Sequence, residues 1–131
     1  MENFAQHLIR MAFCVMMTMQ AAHADLRLKD EQLRVFATCA GRLSATMEFQ
    51  WMFDGEGSEA TKTQRDNMVQ LINAIMPADH AREVLNWRIA SKSAHAALLT
   101  RATFNDDPGD ADWAQHHAAR LIRECTGLLL S

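Results

Sequence analysis

Four stretches of this chain place apolar residues at spacings of three and four, and its two prolines, Pro77 and Pro108, both stand between such stretches. That spacing is the 3.6-residue period of a helix buried along one side, and proline belongs at helix boundaries rather than in helix interiors. Four of the five glycines, Gly55, Gly57, Gly109 and Gly127, also lie between or at the ends of the periodic segments. Gly41 is the exception, a mid-helix glycine that costs stability unless something packs closely against it. The pattern excludes a sheet protein and predicts an all-α fold.

The first periodic segment runs from about residue 30 to 53, with Leu33, Phe36, Ala40, Leu43, Met47 and Trp51 on one stripe. Asp30 is its expected cap, and Asp54-Gly-Glu-Gly57 reads as the turn that ends it. Ser58 is the expected N-cap of a second helix reaching Met76, with Met68, Leu71, Ile72 and Ile75 inward. Asp79 is the expected cap of a third, ending near Phe104, with Val84, Leu85, Ile89, Leu98, Leu99 and Ala102 inward. Its centre, residues 90–97, is almost all small side chains, which would let a neighbouring helix approach. Asp107 as N-cap and Pro108 at the first helical position open a fourth helix, whose stripe includes Ala114, His117, Ala118, Leu121, Ile122 and Cys125. Four helices joined by short turns predict an antiparallel, up-down-up-down four-helix bundle.

The first two dozen residues have a different character. Arg10 precedes the uncharged apolar run 11–19, and Ala22 and Ala24 occupy the −3 and −1 positions of an A-x-A cleavage site. This is the layout of a secretory signal peptide over residues 1–24, with the cut before Asp25, and the run is too short to span a bilayer. A single helical domain, residues 25–131, is the expected product. The chain is then expected to be periplasmic or secreted, in a bacterium, with no stable membrane anchor after processing. In that oxidising compartment Cys39 and Cys125 are expected to form a disulfide. Antiparallel packing of helix one on helix four brings the two cysteines to similar heights.

Net charge is −3, which argues against a nucleic-acid binder because such proteins carry a basic excess or stripe. No Cys-x-x-Cys, haem-attachment motif or histidine at ligand spacing accompanies the cysteines, so no metal or cofactor is expected. His116 and His117 point about 100° apart on a helix and cannot chelate together. The acidic loop Asp106, Asp107, Asp110 and Asp112 lacks calcium-loop spacing, because Pro108 breaks the register. No nucleophile–base or carboxylate pair has motif-level spacing, so a non-enzymatic protein is expected.

Two sets of residues stand out. Phe49, Trp51, Met52 and Phe53 crowd the end of helix one with more apolar surface than one stripe can bury. They are the candidate surface for a protein partner. Glu48, Arg88, Lys92 and His95 lie on or near the stripes of helices one and three. A Glu48–Arg88 or Glu48–Lys92 pair would fix register, and the four would line a polar pocket between those helices. The expected function is an exported accessory or binding protein acting on a protein partner; the alternative is a small-ligand or metal-binding bundle that uses this pocket.

Overall fold

The computed structural model describes residues 27–130, and the expected signal peptide, residues 1–24 with its cleavage site, lies outside them. The chain divides into two compact units, Met1–Gln32 and Leu33–Ser131. Of the first, only 27–32 are described, all helical and exposed. Among the described residues the structure is a bundle of four α-helices with one 3-10 turn and no strand. Helix α1 is helical from 27 to 50, α2 spans Gly55–Ile75, α3 spans Ala81–Phe104 and α4 spans Pro108–Gly127.

Helix α1 is the core helix. No residue from 36 to 50 is exposed, and Leu33, Ala37, Ala40 and Leu43 have at most 1% of their surface open. Contacts reach it from all three other helices. Ser58 of α2 donates its hydroxyl to the Met47 carbonyl at 3.2 Å, Lys92 of α3 reaches Glu48, and Cys125 of α4 stands at disulfide distance from Cys39 with Cα atoms 5.3 Å apart. Met68, Ile72 and Val84 complete the apolar cluster around it. Small side chains make this enclosure possible. Ala37, Ala40, Gly41, Ser44 and Ala45 are all buried, so neighbouring backbones come close. At Gly41 even one methyl group is too many, because a Cβ there would overlap Ser91 Oγ and the Arg88 carbonyl oxygen.

Several boundaries differ from the periodic reading. Helix α1 gives way to a turn at 51–53, so Trp51 leaves its expected stripe and is 58% exposed. Asp54, not Ser58, caps α2: its Oδ1 accepts from Gly57 N at 3.0 Å, and Gly55-Glu-Gly57 forms the first helical turn. This releases Ser58 to become a fully buried link to α1. Helix α3 begins after a 3-10 turn, Ala78–His80, with no side-chain cap bond, and Asp79 bonds the His80 ring instead. Asp107 does cap α4, accepting from Gly109 N and Asp110 N, with Pro108 at the first helical position.

The inward face of α3 is also corrected. Leu85 and Ile89 are 51% and 54% exposed, and most of the small-residue segment 90–97 faces solvent. The face turned to the bundle is Val84, Arg88, Ser91, His95, Leu98 and Ala102, a run at helical spacing with polar members at its centre. Burial of His95 is offset by Thr46 on α1, and the Ser91 hydroxyl donates to the Arg88 carbonyl of its own helix. An apolar-periodicity reading cannot find such a stripe.

Two outcomes are expected. Gly41→Ala gains about 1 kcal/mol of helix propensity, but overpacking against a backbone carbonyl costs about 1–3 kcal/mol or more, so the variant should unfold at lower denaturant than the parent. Reduction, or Cys39→Ser with Cys125→Ser, removes a crosslink over a sequence separation of 86 residues. In the chain-entropy picture this costs about 3–5 kcal/mol, measurable by urea unfolding with and without reductant.

Candidate functional site

The turn after α1 carries the exposed aromatic group. Trp51, Met52 and Phe53 are 58%, 64% and 63% exposed, whereas Phe49 is half-buried and packs its ring 5.1 Å from that of Phe53. The backbone beneath is held firmly. Trp51 N donates to the Met47 carbonyl at 3.1 Å, Asp54 N donates to the Gln50 carbonyl at 2.7 Å, and the Asp54 cap and Ser58 anchor α2 on the far side. Three large apolar side chains therefore project from a fixed corner. The other tryptophans have cationic covers: Arg34 lies 5.9 Å over Trp87, and Arg101 lies 5.0 Å over Trp113.

The polar residues of α1 and α3 come together beside the Gly41 crossing. A cleft of about 250 Å³ opens between α1, α2 and α3, with Gly41 and Ser44 among its lining residues. Glu48, Arg88 and Lys92 line it, as do Arg65, Leu85 and Ile89. Lys92 Nζ stands 2.6 Å from Glu48 Oε1, so the lysine rather than the arginine makes the expected pair. Arg65 is engaged by Asp66 through two bonds to one carboxylate oxygen, 2.9 and 2.5 Å long. Arg88 is half-buried, and its guanidinium has no acidic partner among the described residues.

Arg65 is the residue that sequence reasoning missed. It belongs to the run Ser58, Thr61, Arg65, Met68 and Ile72, whose spacings of three and four mark the inward face of α2. Three of those five positions are polar, so the apolar count began only at Met68.

His95 does not join the cleft. It is buried to 1% exposure, and Nε2 lies 3.1 Å from Thr46 Oγ1. The Thr46 hydroxyl already donates to the Arg42 carbonyl at 3.1 Å, so its oxygen must accept, and His95 donates from Nε2. Nδ1 is then a bare buried nitrogen without a hydrogen-bond partner. Burial, reinforced by the nearby Arg42 charge and by His117, lowers the His95 pKa to about 4.

Among the described residues no three His, Cys, Asp or Glu side chains gather as a metal site, and no helix is long and apolar enough to cross a membrane. A second cavity, about 420 Å³ between α2 and the end of α4, is lined by Asn67, Gln70 and three leucines and holds no titratable side chain.

The buried imidazole gives stability a defined pH dependence. Its folded pKa, about 4, lies below the ordinary value of 6.5, so between those limits the unfolded chain takes up a proton that the native state excludes. Its contribution is full above about pH 6.5, declines as pH falls towards 4 and is lost below that. The total is about 2–3 kcal/mol after allowance for solvent relaxation. Urea unfolding between pH 4 and 7 should show this slope in the parent protein, and His95→Gln should flatten it. Comparison with known proteins returns no matching family model, no matching curated protein and no matching solved structure.

Proposed function

We propose that the chain is an exported, non-enzymatic helical binding protein that engages a protein partner through the corner Phe49, Trp51, Met52 and Phe53. The signal peptide 1–24 is removed before Asp25, and the helices run up, down, up and down, with the Cys39–Cys125 link stabilising the product in an oxidising compartment. The observation that carries this reading is the exposure of three consecutive large apolar side chains on a backbone fixed by hydrogen bonds. A folded chain rarely leaves such a group in water without a use for it. Burying the exposed part of each in a partner contributes about 1–2 kcal/mol, and the fixed corner loses little entropy on docking.

A second reading is supported by one observation. Glu48, Arg88 and Lys92 line a single cleft between α1 and α3, joined by Arg65, and this constellation suits a small polar ligand. It uses different residues from the corner, and the two readings are compatible.

The corner is tested with Trp51→Ser combined with Met52→Ser. Because both side chains are exposed, the variant should keep its helical circular dichroism and its unfolding midpoint. Affinity capture from periplasmic extract should retain one or more proteins on the parent chain that the double variant loses. Unfolding of the variant, or identical capture by both, would sink the reading. N-terminal sequencing of the exported protein should begin at Asp25.

A further inference from the structure

Arg88 is the one guanidinium of the α1–α2–α3 cleft without a carboxylate of its own. The cleft lining holds three cations, Arg65, Arg88 and Lys92, and one carboxylate, Glu48. Glu48 pairs with Lys92 at 2.6 Å, and Asp66, the next residue of α2, pairs with Arg65 while also meeting Lys62, which does not line the cleft. One positive charge is left over, at Arg88. Arg88 is half-buried, and its backbone is locked at the Gly41 crossing. An arginine so placed presents a planar fork of donors that matches the two oxygens of a carboxylate.

The rest of the cleft restricts the ligand further. Leu85 and Ile89 stand one turn apart on α3 and form an apolar wall beside Arg88, each more than half exposed. Two such side chains in water gain by covering, and a ligand that covers them needs an apolar portion next to its charge. The volume, about 250 Å³, is that of about eight water molecules in the liquid, which suits a compact ligand rather than a polymer or a cofactor. A single uncompensated charge favours a monoanion over a phosphate dianion.

We infer that this cleft binds a small monocarboxylate with a short apolar group, its carboxylate on Arg88 and its apolar part on Leu85 and Ile89. This rests on the ligand-pocket reading above and is independent of the Trp51 corner. Arg65 and Lys92 flank the site as ion pairs, each held in place by its carboxylate. Glu48 disfavours a second negative charge on the ligand.

The test is titration of the purified protein with benzoate and butyrate, and in parallel with benzyl alcohol, butylammonium and inorganic phosphate, followed by calorimetry or chemical-shift mapping. Benzoate and butyrate should bind, with shifts centred on Arg88, Leu85 and Ile89, and the other probes should bind at least about tenfold more weakly. Loss of a charge-assisted bidentate contact corresponds to about tenfold or more, so Arg88→Gln should weaken benzoate by that factor. Arg88→Lys should give an intermediate value. Ile89→Glu provides a second variant at an exposed position, where folding is undisturbed and a negative charge enters the mouth; it too should weaken benzoate at least tenfold. Preference for benzyl alcohol or butylammonium at the same residues would overturn the carboxylate assignment and leave the ligand pocket standing. Tighter binding of phosphate there would overturn the monocarboxylate as well. No binding of any probe would overturn both.

Discussion

The bundle depends on the crossing of α1 and α3 at Gly41. Helices ordinarily pack with axes 8–10 Å apart, separated by side chains. Here a hydrogen atom is all that Gly41 places between its own backbone and the Arg88 carbonyl and Ser91 hydroxyl. The close approach explains why polar residues of α3 turn inward. Once the backbones meet, Lys92 finds Glu48 and His95 finds Thr46, so these groups keep partners while α1 is enclosed. It also explains why Leu85 and Ile89, one step round the helix, are left outside.

How much was legible in the sequence follows from this arrangement. Apolar periodicity marked the buried faces of α1, α2 and α4, where Leu33, Ala40, Leu43, Met68, Ile72, Ala114 and Ala118 are buried at helical spacing; for α3 it located the helix but not its inward face. Pro108 after Asp107 located the start of α4, since both residues have a local geometric preference that tertiary contacts need not supply. Gly41 stood out as a costly glycine whose reason had to be a close neighbour. The neighbour itself was not readable. The small-residue run 90–97 looked like the seam, yet most of it faces solvent, and the close approach is made by Gly41 on α1 against Ser91 and the Arg88 carbonyl of α3.

The candidate sites were partly legible for the same reason. Exposure of Trp51, Met52 and Phe53 follows from simple counting, because consecutive residues cannot all face one core. The cleft required knowledge of which polar side chains share a face. Glu48, Arg88 and Lys92 were within reach of that reasoning, but Arg65 was hidden in a polar inward stripe, and His95 was carried one turn past the cleft into its own buried contact with Thr46. Only Phe49 and Gln50 separate Glu48 from Trp51, so the last two turns of α1 supply both the cleft wall and the base of the aromatic corner.

The link between Cys39 and Cys125 has a mechanical consequence. A tension applied across the chain from outside these two residues passes directly from one sulfur to the other. Helices α2 and α3, the second half of α1 and nearly all of α4 lie inside the closed loop and carry none of that load. The corner at 51–53 and the cleft beside Gly41 both sit in this shielded segment. Pulling on the flanking chain would straighten residues 27–38 and 126–130 while the binding surfaces kept their shape.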